Sequence, residues 1–249
     1  MAGAGLDGPA CPIGEDDAVG LIGEGLLRAV TLLGTADAEL LGITWLSLQV
    51  SAAATGLSLL AGMPLGTVLA LVRFPGRGIL VALVNTGMGL PPVVVGLFVS
   101  ILLWRSGPLG ALELLYTPTA IVVAQFVIAL PVVTGLTLAA VQQIPDRFRR
   151  QVQGLGASRL QLLWVLIREA RLPLLAALMA GFGAVISEVG ASLMVGGNIR
   201  GQTRVLTTAT VLETSKGNFD VAIALSVILL TLTFLVNWAL TLIQQRGRV

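Results

Sequence analysis

The sequence has no histidine, one cysteine and one lysine in 249 residues. Without histidine it lacks the commonest metal ligand and the usual acid–base group of neutral pH. Cys11 alone cannot close an internal disulfide. Lys216 lies outside any G-x-x-x-x-G-K-[ST] loop, so the chain has no Walker-type ATP site. No Ser-His-Asp or Cys-His set can form, and no paired carboxylates stand at helical spacing within an apolar run. These absences argue against an enzyme and assign neither metal nor cofactor to this chain. Charge is scarce as well, at 11% of residues where soluble domains carry about a quarter. With 55% hydrophobic residues and a mean hydropathy of +0.93, a soluble globule would expose apolar patches beyond what monomers tolerate. Disorder is excluded by the same numbers. The length suits one domain or a compact bundle. The net charge of +2 gives no ground for nucleic-acid binding.

The charges are clustered. Residues 40–72, 78–104, 114–145 and 221–245 contain no Asp, Glu, Lys or Arg, and 172–199 contains only Glu188. About 20 apolar residues cross the roughly 30 Å hydrocarbon core as a helix, so all five runs are long enough. The expectation is an all-α membrane protein with five transmembrane helices, at about 42–72, 78–104, 118–142, 172–195 and 219–244. Alternating the sides puts ten basic residues on one face (Arg73, Arg77, six arginines in 146–171, Arg246 and Arg248) and five on the other. The positive-inside rule makes the richer face cytoplasmic. The N-terminus is then extracytoplasmic and the C-terminus cytoplasmic.

The first residues do not read as a signal peptide, because no basic segment precedes an apolar core. Residues 1–17 read as a flexible extracytoplasmic tail. Residues 18–36 read as an interfacial helix, with Glu24 and Arg28 as an i,i+4 pair. Within the spans, Gly62-Met63-Pro64 is expected to interrupt the first run with a tilt or kink. Pro91 and Pro92 place two adjacent prolines near mid-membrane in the second, and Pro131 stands in the third. Backbone freed by proline is costly in lipid unless it faces protein or water. The prolines therefore read either as packing kinks or as broken helices around a pathway. Glu188 reads either as a pathway or gate carboxylate, or as a hydrogen bond between helices. The glycine-rich loop 195–204 carries Asn198, Arg200, Thr203 and Arg204. Its arginines and glycine amides could attract an oxyanion, or it is a solvated or docking loop. In the long loop 146–171, Gly156, Leu160, Leu163 and Ile167 form an apolar stripe at helical spacing. It reads as interfacial packing or as a handle gripped by a partner.

The stretch Gln151-Val152-Gln153-Gly154-Leu155-Gly156-Ala157-Ser158-Arg159 resembles the cytoplasmic signature loop of permease subunits in binding-protein-dependent ABC importers. The Gly-Ala-Ser-Arg core is present, while Arg150, Gln151 and Val152 occupy the family's Glu-Ala-Ala positions. Leu90-Pro91-Pro92-Val93-Val94-Val95-Gly96, Ser187-Glu188-Val189-Gly190-Ala191-Ser192 and Gly197-Asn198-Ile199-Arg200-Gly201 are similar to the tungstate, molybdate and sulfate branch, the tungstate type above all. The resemblance covers about residues 40–245. It implies a type I importer permease fold and alternating access in an ATP-driven oxyanion importer, tungstate ahead of molybdate and sulfate. It further implies an inner-membrane location. The implied partners are a second copy of the chain, two ATP-binding cassette subunits that carry ATP and Mg, and an extracytoplasmic oxyanion-binding protein. Leu155, Gly156, Ala157, Ser158 and Arg159 would lie on the ATPase-coupling helix. Pro91, Pro92, Glu188, Asn198, Arg200 and Thr203 would lie along the pathway and its outer gate. The competing expectations are a stand-alone channel or secondary transporter, a scaffold without a pathway, and an ABC permease for another solute.

Overall fold

The computed structural model describes residues 20, 23–25, 27–31 and 38–246. Among them there are helices and no strands. The order is α1 (Ala38–Leu71), α2 (Arg77–Met88), α3 (Pro92–Leu103), a 3-10 turn (Gly110–Leu112), α4 (Pro118–Gln142), α5 (Asp146–Gly154), α6 (Arg159–Glu169), α7 (Arg171–Ile186), α8 (Gly190–Gly196), α9 (Leu206–Ser215) and α10 (Phe219–Arg246). The proposed tail 1–17 lies outside the described residues.

Helix α1 is apolar outside and polar within. Its buried face carries Ser47, Ser51, Thr55, Ser58, Gly62, Gly66 and Thr67. Its exposed residues include Leu41, Trp45, Leu57, Leu60 and Val68. In water this arrangement would be unstable. In lipid the tails solvate leucine, and small residues let helix backbones approach. Thr55 Oγ1 donates within the helix to Ser51 O at 2.7 Å and Thr67 Oγ1 to Met63 O at 2.7 Å, while Ser58 Oγ donates across to the Phe126 carbonyl of α4 at 3.3 Å. A Cβ on Gly66 would lie 2.5 Å from the Thr134 carbonyl. Glycine is therefore what lets α1 close on α4.

Helix α4 is the centre of the bundle, packed on α1, α7, α2, α8 and α3. One core gathers Val50, Val95, Val99, Ile121, Ala124, Ala191 and Val195. A second, around Leu206 and Leu225, joins α9 to α10. A third, around Ile144, Leu166 and Leu174, anchors α6 beneath α4. Residues 23–25 and 27–31 are helical. They lie against α10, where a Cβ on Gly25 would meet Ile223 Cγ2 at 2.4 Å.

The spans depart from the sequence expectation in specific ways. Helices α1, α4 and α10 are long and apolar enough to cross a membrane unbroken. The runs 78–104 and 172–195 are each two helices, bent by 106° at residues 89–91 and by 58° at residues 187–189. Counting each bent pair as one span gives up to five. Pro64 does not interrupt the first run and Pro131 does not break the third, for α1 and α4 continue through them. A single proline forfeits one intrahelical bond and can be packed around, whereas consecutive prolines exclude two successive residues from the helical region. Arg28 does not pair with Glu24 as expected. Its Nη1 lies 2.8 Å from Asp220 Oδ2 at the start of α10.

Candidate functional site

The break before α3 is written locally. Gly89 caps α2, and Leu90 and Pro91 each precede a proline. Pro92 opens α3 at a position where its missing N–H costs nothing. The Pro91 carbonyl accepts from the Val94 and Val95 amides at 2.9 and 3.3 Å. Helix α3 then lies against α8. A Cβ on Gly96 would be 2.7 Å from Ala191 Cα, and one on Gly190 would be 2.6 Å from Val93 Cγ2. The two broken helices thus meet through glycine.

No proline marks the second break. Instead, polar side chains replace the lost helical bonds. Buried Glu188 accepts the Ala191 amide on Oε1 at 2.8 Å, satisfying one of the open N–H groups of α8. Thr207 Oγ1 donates to the Glu188 carbonyl at 2.9 Å. Gln125 Nε2, from α4, donates to the Val185 carbonyl at 3.2 Å and to Ser192 Oγ at 3.4 Å. The carboxylate's bond is thus local, made to the helix that begins just after it.

The loop after α8 turns on three left-handed residues, Gly197, Asn198 and Gly201. Asn198 Nδ2 donates to the Thr208 carbonyl at 3.3 Å, and Thr208 Oγ1 donates back to Asn198 Oδ1 at 3.0 Å. Thr203, 1% exposed, donates to the Gly196 carbonyl at 2.5 Å and accepts from the Ile199 amide at 2.9 Å. Tyr116 has a φ of 64°. Its N–H bonds the Val195 carbonyl at 2.9 Å, and its ring fills the space where Gly197 would carry a Cβ. Arg200 grips Glu39 with Nε and Nη2, the Nε–Oε1 distance being 2.7 Å. Arg204 Nη1 lies 3.6 Å from the same carboxylate. Beyond them, Glu213 accepts from Asn218 and Lys216, and these two bonds hold its carboxyl below the ordinary range.

The structure therefore brings Glu188, Asn198, Arg200 and Thr203 into one layer, with Pro92 at the start of the helix packed under it. The composition and motifs did not single out Glu39, Tyr116, Gln125, Thr207 or Thr208. Each acts on a partner distant in sequence or through the backbone, so no local spacing marks it.

The other five candidates lie toward the far end of α1, a helix roughly 50 Å long at 1.5 Å per residue. Here the structure corrects the expectation of one amphipathic helix. Residues 155–158 form a turn between α5 and α6, and Arg159 is the first residue of α6. Gly156 is not part of a packed stripe: its φ is +82° and a Cβ would touch nothing. Such a turn suits glycine, which reaches positive φ without steric cost. Leu155 is 89% exposed. Ser158 caps α6 reciprocally with Gln161, its N–H reaching Oε1 at 2.8 Å and its Oγ accepting the Gln161 amide at 3.3 Å. Leu160, Leu163 and Ile167 line an apolar groove of about 630 Å³ against Leu59, Met63 and Pro64 of α1. Leu166 is the residue of α6 that is fully buried. Two arginines close helix C-termini at this end, Arg77 Nε bonding Leu69 O at 2.6 Å and Arg149 Nη2 bonding Val141 O at 2.9 Å.

Comparison with known proteins supplies what the geometry leaves open. Residues 62–249 match the family described as the inner membrane component of binding-protein-dependent transport systems. A protein of Haloferax volcanii described as a "Probable anion ABC transporter permease protein" is 44% identical over 203 residues, covering 80% of this chain and 88% of its own. The tungstate uptake system permease protein TupB of Peptoclostridium acidaminophilum is 38% identical over 224 residues, covering 90% of this chain and 98% of its own. A solved inward-facing MetNI methionine ABC transporter has a chain that matches with a TM-score of 0.70 at 21% identity, over 85% of this chain and 97% of that one.

Proposed function

This chain belongs to the inner-membrane components of binding-protein-dependent transport systems, and from that premise we propose that it is the permease of an ATP-driven oxyanion importer, tungstate ahead of molybdate and sulfate. The observation that carries the proposal is the pairing of two broken helices through glycine beside a loop with two arginines. It is supported by the 38% identity to a tungstate uptake permease across nearly the whole of both chains.

The chemistry runs as follows. A doubly charged anion crosses between two copies of the chain, with α2 available to one side. No residue of α2 is fully buried, and its exposed residues Ile79, Leu80, Leu83 and Met88 are apolar. The breaks at residues 89–91 and 187–189 give the bundle short helices that can tilt without unwinding a full span. The polar bonds around Glu188, Asn198 and Thr203 keep the outer layer in shape while it moves. At the cytoplasmic end, the exposed turn from Leu155 to Ser158 presents α5 and α6 to an ATPase subunit. Closure of the ATPase pair favours the permease state that binds it more tightly. ATP and Mg belong to that partner. The extracytoplasmic binding protein supplies affinity, and the pathway itself binds weakly so that the ion can leave.

The test is competition for uptake. Cells expressing the chain with its ATPase and binding protein should accumulate tungstate, with molybdate and then sulfate competing less well. Uptake that none of the three anions inhibits would overturn the oxyanion assignment.

A further inference from the structure

Helix α6 is not built like a solvated connecting helix. From Leu162 to Ile167 it carries six apolar residues in succession, so those turns have no polar face. A helix that is apolar all round is buried or in lipid. Leu166 anchors it beneath α4, yet Leu160 and Trp164 are exposed, the tryptophan by 61%. Arg168 follows one turn later, its Cζ 5.2 Å from the centre of the Trp164 ring. Tryptophan beside a long basic side chain, at the end of an apolar helix, suits a membrane–water interface. Between α6 and α1 runs the apolar groove of about 630 Å³. Its α1 wall is a single stripe, repeated every four residues from Leu59 and Leu60 to Leu71 and Val72. That stripe is roughly 20 Å long at 1.5 Å per residue. Thr67 is the polar side chain of the lining, and its hydroxyl is spent on the Met63 carbonyl. The groove therefore selects an apolar occupant. At its mouth Val72 is followed by exposed Arg73.

We propose that this groove holds one acyl chain of an anionic phospholipid, with the headgroup against Arg73. Depth argues for lipid. The wall belongs to α1, which is long and apolar enough to cross the membrane, and it ends where the charge-free run ends. Length agrees, because one leaflet contributes about 15 Å of hydrocarbon, and the stripe covers that and reaches the headgroups. Width excludes a helix. A volume of about 630 Å³ over roughly 20 Å leaves a cross-section of about 30 Å², less than half that of a helix about 10 Å across. A hydrocarbon chain fits, and a helix of a second copy or of another subunit does not. Charge chooses the headgroup. Arg73 follows one wall and Arg168 adjoins Ile167 on the other, and basic pockets between spans on the arginine-rich side favour anionic lipid. The bound chain splints α6 against α1, just after the capped turn that precedes α6. The inference concerns lipid and holds whichever anion is carried.

The test is lipid retention by the full-length chain, weighed by native mass spectrometry. The chain is equilibrated with equal phosphatidylglycerol and phosphatidylcholine of the same acyl length, then taken into detergent. The unaltered chain should keep one phospholipid per copy, phosphatidylglycerol ahead of phosphatidylcholine. Arg73→Gln should lower that preference about fivefold, the contribution of one arginine near a membrane surface. Leu163→Trp fills the groove from α6 and should lose the lipid while melting within a few degrees of the unaltered chain. Leu60→Trp fills it from α1, at a position 77% exposed where a larger ring displaces no packed neighbour. A folded tryptophan variant that keeps its lipid overturns the site, and Leu60→Trp decides if Leu163→Trp melts early. An unchanged preference in Arg73→Gln overturns the headgroup assignment and with it the proposal. So does a tryptophan variant that keeps its lipid but loses association with a second copy or an ATPase subunit, which would make the groove a protein interface. Uptake competition does not enter this test, so its failure leaves the importer reading standing.

Discussion

The layer around Glu188 and the turn at Gly156 use polar residues and glycine in opposite ways. Around Glu188 the hydroxyls, amides and carboxylate named above are spent on the protein's own backbone, and glycines sit where two helices would otherwise collide. At Gly156 the chain bends in the open, with Leu155 fully presented and nothing beside the glycine. The first region is bonded to itself. The second is open, with neither the leucine nor the glycine held by the chain. A glycine-rich motif in a transport protein therefore does not identify its own role. What surrounds the glycine does.

Substitutions should separate the two regions. The largest effect on transport is expected from Gly156→Asp, which puts a charge and a Cβ at a φ of +82° on an open surface. Uptake should fall at least tenfold, with membrane insertion intact and the melting temperature within a few degrees of the unaltered chain. A packed-stripe role would instead lower the melting temperature along with uptake, so one thermal melt with one uptake assay distinguishes them. Thr203→Val should do the reverse. It removes the donor to the Gly196 carbonyl and the acceptor of the Ile199 amide. Leaving buried partners unsatisfied costs about 1–3 kcal/mol, readable as a lower melting temperature in detergent.

Glu188 sharpens the comparison because its two substitutions should differ. Glu188→Ala loses the acceptor for the Ala191 amide and should cost about 1 kcal/mol. Glu188→Gln keeps an oxygen there, and should keep most of the stability and most of the uptake. A charge needed in the pathway would make Glu188→Gln as inactive as Glu188→Ala. The smallest effect is in acid. The Glu213 carboxyl lies below its ordinary value of 4.5 because Asn218 and then Lys216 bond its charged form. The stability this contributes is complete above pH 4.5 and is lost as pH falls through the lower folded value. Melting temperatures of the chain and of Glu213→Gln, compared between pH 7 and 4, should converge toward the acid end.

Much of this architecture can be read in the sequence because the bilayer imposes it. Charge-free runs mark the membrane segments, and the Pro91-Pro92 pair marks a break that two adjacent prolines cannot avoid. The break at residues 187–189 has no such mark. It is made by Gln125 and Thr207, both distant in sequence, taking over helical bonds. Pro64 and Pro131 do not end their helices, because packing against neighbouring helices carries α1 and α4 through them. The stripe through Gly156 has helical spacing, yet the capping box at Ser158 and Gln161 starts a new helix after it. Periodicity reports neighbours along a helix and says nothing about where that helix begins. Glu39 and Arg200 are 161 residues apart, so only the folded chain brings the carboxylate to the loop.

The most direct test of the account is ATP hydrolysis in liposomes that contain this chain, its ATPase and its binding protein. Binding protein loaded with tungstate should stimulate hydrolysis, more than the empty protein does, and Gly156→Asp should abolish the stimulation while the permease remains folded in the bilayer. Equal hydrolysis with loaded and empty binding protein, or full stimulation of the Gly156→Asp chain, would contradict it.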